Sequence, residues 1–195
     1  AMEGSIFIAG AGVQWLRDRM KFFKTAPETE KIIKSLKDNN GIYLVPAFTG
    51  LGAPYWNANS RGVLSGITRD TSPKAIIRAT IEAVAYQTYD LFEAMKHDGL
   101  RPKLVKVDGG MVMNSWFSQF LSDVVNVKVL RPKVQETTAA GAAFMAGLQI
   151  GVYKSLKDIS RNWQLDKKFT PKMKNTTRNS LLKGWSTAIK RTLIN

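Results

Sequence analysis

The chain has 195 residues, a formal net charge of +14, 44% hydrophobic and 10% aromatic residues, and no cysteine. That size suits one domain with a real core, and the composition has no collagen-like, low-complexity or disulfide-rich bias. No apolar stretch reaches the roughly 20 residues of a membrane span, and the lack of cysteine excludes disulfides and thiol nucleophiles while weakly favouring the cytoplasm.

Ala1-Met2 read as a cloning remnant, and Glu3-Gly4 do not supply the basic start of a signal peptide. Over residues 5–23, Ile6, Gly10, Val13, Leu16 and Met20 recur at helical spacing. A helix is therefore expected, with Ser5 as its N-cap and Gly10 on a crowded face. A charged, helix-compatible stretch continues to Lys37, and Asn39-Asn40-Gly41 ends it. Residues 42–48 and 62–68 read as the strands of a hairpin, joined by a turn-rich loop that ends in Tyr55-Trp56. Those rings either anchor the loop or frame a pocket or a partner surface. Thr71 or Ser72 caps the next helix with Pro73 at its first position. Ile77, Ile81, Val84, Leu91 and Met95 mark its apolar face.

Beyond Leu100 the rhythm becomes strand, turn, helix. Strands are expected at 104–107 and 127–130, the second closed by Arg131-Pro132, and helices at 114–124 and 137–150. The last of these is rich in Ala and Gly and can lie very close on a sheet, with Gly151 past its end. Strands alternating with helices predict a parallel α/β arrangement with right-handed crossovers. One more amphipathic helix is expected around 178–193. The basic excess is densest after Tyr153, where Lys and Arg interleave with Asn, Thr and Ser without an aromatic stacking platform. That pattern fits a solvated surface better than a nucleic-acid groove.

Two constellations share one spacing: Gly10 precedes Gln14 by four residues, and Gly110 precedes Asn114 by four. A residue without a side chain lets a planar ligand approach the backbone. An amide one helical turn on faces the same side and can both donate and accept. Asp108-Gly109-Gly110 also follows a strand, where open α/β sheets bind ligands. Each constellation alone fits ordinary helix packing or a tight turn; together they suggest a clamped nucleotide. The chain has neither a Walker A loop nor a GxGxxG fingerprint. His97 has no second histidine near it, and Glu82 and Asp90 lack a partner carboxylate at metal spacing. No serine-nucleophile motif is present. Residue chemistry offers no catalytic centre and no metal site.

The same segments carry a family resemblance. Glu3-Gly4-Ser5-Ile6-Phe7-Ile8-Ala9-Gly10, Val13-Gln14-Trp15-Leu16-Arg17-Asp18, Val107-Asp108-Gly109-Gly110 with Asn114, and Thr137 with Ala139-Ala140-Gly141 resemble the FGGY carbohydrate kinases. Val45-Pro46-Ala47-Phe48-Thr49-Gly50-Leu51-Gly52-Ala53-Pro54-Tyr55-Trp56 points more narrowly to the glycerol kinase branch.

The resemblance implies an α/β lobe of the actin-like ATPase (ribonuclease H-like) fold over 3–153. Residues 154–195 would form a helical, basic extension, and the sheet would be incomplete because the match starts inside the family's domain. In the glycerol kinase branch, ATP with Mg2+, held mainly through the phosphates, gives its γ-phosphoryl to glycerol. The positions matching the nucleotide contacts are Gly10, Gln14, Gly110 and Asn114. The phosphate loop, catalytic-base aspartate and glycerol-binding residues lie upstream of the matched segment. The segment alone is therefore expected to bind ATP or ADP without transferring phosphate. The resemblance also implies a cytoplasmic homo-oligomer with no membrane or nucleic-acid partner. Asn57 stands where the family usually has Asp, Ala75 where a polar residue is common, and Met111 replaces a small residue beside the adenine site. Two other readings stay open: a different sugar or polyol kinase of the family, or a non-catalytic nucleotide- or nucleic-acid-binding module driven by charge.

Overall fold

One long helix organises the molecule, and a computed structural model describes residues 3–194, so Ala1, Met2 and Asn195 lie outside the described residues. In chain order the elements are α1 (Gly10–Asp18), α2 (Glu28–Lys34), β1 (Tyr43–Val45), β2 (Val63–Ser65) and α3 (Pro73–His97). Then come β3 (Leu104–Lys106), a 3-10 turn (Gly110–Met113), α4 (Ser115–Val125), β4 (Lys128–Pro132), α5 (Thr137–Gln149), α6 (Leu156–Ser160), β5 (Leu165–Phe169) and α7 (Asn175–Leu193).

α3 starts where the sequence says: Ser72 Oγ accepts from the Ala75 N–H, and Pro73 fills the first position, where its missing N–H costs nothing. Its N-terminal half is buried because α1, α2, α4 and β1 all pack on it. Tyr86 sits at the centre, with ring centroids 5.3 Å from Trp185, 5.6 Å from Phe120 and 5.8 Å from Tyr43. Each such pair adds about 0.5–1.5 kcal/mol beyond area burial. β1 and β2 form the expected antiparallel hairpin.

The second sheet has the order β3-β4-β5. β3 and β4 are parallel, and α4 crosses between them. Among the described residues β3 bonds on one side only, leaving the open edge that the resemblance implied.

Several expectations need correction. The first helix begins at Gly10 without a side-chain cap, and residues 5–9 are not helical. That lead-in is held by tertiary bonds: Ser5 O accepts from the Ala53 N–H and Ile8 O from Gln87 Nε2. Gly10 is not crowded, since a Cβ there would meet nothing within 4 Å; the close approach is at Gly12, against Thr80. The sheet is mixed, because β5 pairs antiparallel with β4. Within the expected 154–195 extension, the described residues 154–194 are consequently more than helical: they supply β5, and α7 places Trp185, Ala188 and Ile189 in the core. α5 does not lie on the sheet. Only Gly147 of it is buried, under the Tyr153 ring.

Candidate functional site

Three helices and the turn after β3 surround a cavity of about 390 Å³, within the usual size range of ligand pockets. α1 contributes Gly10, Val13, Gln14 and Arg17, and α3 contributes Ile81. Ala26, Pro27, Thr29 and Glu30 form the wall at α2. Gly110, Met111, Met113 and Asn114 close the far side. The four residues singled out by spacing thus line one space, although the two pairs lie 100 residues apart in sequence.

The far wall is built by local rules. Gly109 has φ 82° and ψ 172°, a conformation open mainly to glycine, and it turns the chain out of β3 into the 3-10 turn. Its N–H donates to Gln135 O, and Asp108 accepts from the Thr137 hydroxyl, so the start of α5 braces the turn. From below, the buried Arg131 guanidinium donates to Val112 O at 2.9 Å and Met113 O at 3.2 Å while pairing with Asp166 at 2.6 Å. Asn114 Oδ1 caps α4 by accepting from the Phe117 N–H at 3.0 Å. That bond fixes the amide, whose Nδ2 then points to Thr29 Oγ1 at 3.4 Å.

A Cβ on Gly10 or Gly110 would meet nothing within 4 Å, so packing within the chain does not demand a glycine at either. Both line open space where a ligand can approach the backbone. Val13, Ile81, Met111 and Met113 give the slot apolar walls, and Gln14 is exposed at its rim. Glu30 is the one carboxylate of the lining. Its Oε1 takes the Lys34 ammonium at 2.6 Å and its Oε2 the Ser115 N–H at 3.2 Å. Partial burial pushes its carboxyl up, but those two donors outweigh it and hold it below the usual value. The arrangement can grip a flat, partly polar ligand. It contains no nucleophile with an adjacent base, and among the described residues no three His, Asp or Glu side chains gather at metal-binding distance.

The remaining candidates have structural work. Glu82 is fully buried and accepts from Arg78 Nε (2.7 Å), Tyr86 Oη (3.0 Å) and Asn39 Nδ2 (3.1 Å). Asp90 Oδ2 accepts from Tyr55 Oη at 2.8 Å and Trp185 Nε1 at 2.6 Å. The loop at 46–56 is therefore anchored by Tyr55, whereas Trp56 stays 68% exposed. His97 is exposed in the last turn of α3. Asn57 Oδ1 accepts from the Asn59 and Ser60 N–H groups, Ala75 is buried, and Met111 faces the cavity. Sequence reasoning did not find Thr29, Glu30 and Arg131. The first two lie on a charged helix that reads as solvent-facing, and only contacts spanning 85 residues bring them to the site.

Comparison with known proteins places the chain in one family. The family model described as "FGGY family of carbohydrate kinases, C-terminal domain" matches residues 1–150. Glycerol kinase 1 of Pseudomonas aeruginosa is 52% identical over 191 residues, covering 98% of this chain and 39% of that protein. The crystal structure of Plasmodium falciparum glycerol kinase with ADP superimposes with a TM-score of 0.86 at 35% identity, over 98% of this chain and 38% of the other. A ligand-bound xylulose kinase from Lactobacillus acidophilus shares the fold, with a TM-score of 0.78 at 23% identity, over 96% of this chain and 38% of the other. The chain thus spans well under half the length of each of these relatives.

Proposed function

The chain belongs to the FGGY family of carbohydrate kinases, as its C-terminal domain, and we propose that it holds the adenosine part of ATP in a glycerol kinase. One observation carries this reading: Gly10 and Gln14 face the same cavity as Gly110 and Asn114. In it the base lies between the two glycine backbones, against Val13, Ile81 and Met111, with the Gln14 and Asn114 amides supplying hydrogen bonds. A structural relative at 35% identity was crystallised with ADP, which supports a nucleotide as the ligand. Glycerol as acceptor is supported by sequence relatives named glycerol kinase at 50–52% identity.

The chain's own contribution is to bind and orient. Fixing the adenosine aims the phosphate chain out of the cavity, and positioning of that kind supplies much of the acceleration in phosphoryl transfer. Mg2+ would be held through the phosphates and by the rest of the parent enzyme, neutralising charge on the transferred group. The resemblance further implies a cytoplasmic, homo-oligomeric parent enzyme, and size-exclusion chromatography of that enzyme tests the oligomer.

Isothermal titration of this chain with ADP, paired with a coupled assay for glycerol-dependent ADP formation, tests the proposal. ADP is expected to bind, and glycerol is expected to elicit no ADP formation. Absence of ADP binding would overturn the nucleotide reading. Turnover by the chain alone would overturn the assignment of acceptor and base to the remainder of the parent.

A further inference from the structure

The α2 wall of the cavity holds a chemical choice that the four spacing-derived residues do not explain. We propose that Glu30 selects adenine over other purines, its carboxylate accepting from the exocyclic amine while Asn114 donates to the neighbouring ring nitrogen. This rests on the nucleotide reading above and extends it to base specificity.

The polar side chains of the lining are Gln14, Arg17, Thr29, Glu30 and Asn114. Arg17 is turned aside, paired with Asp18 by two hydrogen bonds of 2.7 and 2.9 Å. Thr29 spends its proton on Ala26 O at 2.6 Å and receives Asn114 Nδ2. Asn114 holds its oxygen on the Phe117 N–H, and its amide nitrogen has one N–H beyond the one aimed at Thr29, so it can offer the cavity a donor. Glu30 reaches the very next residue, Ser115, with Oε2. A donor and an acceptor therefore stand side by side at one end of the slot. An ionised carboxylate accepts only, and its two oxygens have lone pairs left after Lys34 and Ser115 are served.

The edge of adenine that carries N7 and N6 presents one acceptor beside one donor. That pattern is the complement of Asn114 beside Glu30. Guanine and hypoxanthine put a carbonyl oxygen where adenine has the amine, so O6 would face a carboxylate that has no proton to give. Two acceptors forced together in a partly dry slot leave both unsatisfied. Glu30 thus rejects 6-oxopurines as well as favouring adenine.

The test compares ADP with inosine diphosphate, which keeps N7 and replaces the amine by a carbonyl. Both are titrated into the unaltered chain, Glu30→Gln and Glu30→Met, with circular dichroism confirming that each variant is folded. The unaltered chain is expected to prefer ADP by about tenfold or more, the size of one charge-assisted hydrogen bond. Glu30→Met should abolish the preference, chiefly by weakening ADP, and Glu30→Gln should retain part of it through its amide oxygen. If both nucleotides weaken in parallel in Glu30→Met, Glu30 merely braces α4 and the assignment is overturned. If the unaltered chain binds the two equally, specificity fails while the nucleotide reading stands. If it binds neither, the nucleotide reading itself fails and the assignment falls with it.

Discussion

Replacing Gly10 separates folding from binding. Gly10 opens α1, has no backbone strain that requires glycine, and a Cβ there meets nothing within 4 Å. Gly10→Ala should therefore leave stability unchanged or raise it by up to about 1 kcal/mol, through lower entropy of the unfolded chain. Gly10→Val should fold equally well but project its methyls into the cavity proposed to hold the base. ADP affinity should then fall at least tenfold, about 1.4 kcal/mol or more. Gly184→Ala is the contrasting control: its Cβ would run into the hydroxyl end of the buried Tyr43 ring. Overpacking of that sort costs about 1–3 kcal/mol. Urea denaturation gives the stabilities and isothermal titration the affinities. Two results would refute the reasoning. If Gly10→Val destabilises the fold as much as Gly184→Ala does, Gly10 serves packing. If it binds ADP undiminished, that wall does not touch the ligand.

Two further changes probe the half-buried Asp90 and the fully buried Glu82. Burial pushes the Asp90 carboxyl up to about 6 from 3.8, against the Trp185 and Tyr55 donors and with help from Glu93. The folded state then holds this proton more tightly than the unfolded state does. Its contribution is full below about pH 4 and is lost as pH rises to about 6, a change of up to about 3 kcal/mol. The stability of the unaltered chain relative to Asp90→Asn should decline across that window in urea titrations at successive pH values, and a flat difference would contradict the assignment. Glu82→Ala should cost about 3–5 kcal/mol by stranding the largely buried Arg78 guanidinium together with Tyr86 and Asn39. Retention of near-normal thermal stability would show that Arg78 finds other partners, such as the Leu36 carbonyl it already reaches.

Some of the fold was legible because its causes are local. Ser72 and Pro73 fix the start of α3 within a single turn, and Gly109 with Asn114 fixes the 3-10 turn and the cap of α4. The hairpin follows from two apolar runs and a turn-rich connection. Where an element depends on distant contacts, the pattern misled. β5 reads Leu165-Asp166-Lys167-Lys168-Phe169, and with four of its five residues exposed it has little hydrophobic signature of a strand. Its place comes from pairing with β4, and Phe169 alone turns inward. The helical spacing of residues 5–9 was likewise real, but Gln87 and Ala53 take up their carbonyls in a non-helical path.

By itself the sequence determined the two glycine–amide constellations and the family they resemble, since both are matters of residue type at fixed separation along the chain. Tertiary structure alone decided that Gly10 borders open space while Gly12 is the packed one, because that depends on where Thr80 of α3 lies. It alone also decided that Asn114 and Glu30, through bonds to Thr29 and from Ser115, border one cavity. Charge and amide orientation at this cavity wall depend on neighbours 85 residues away, and periodicity along the chain has no term for such contacts.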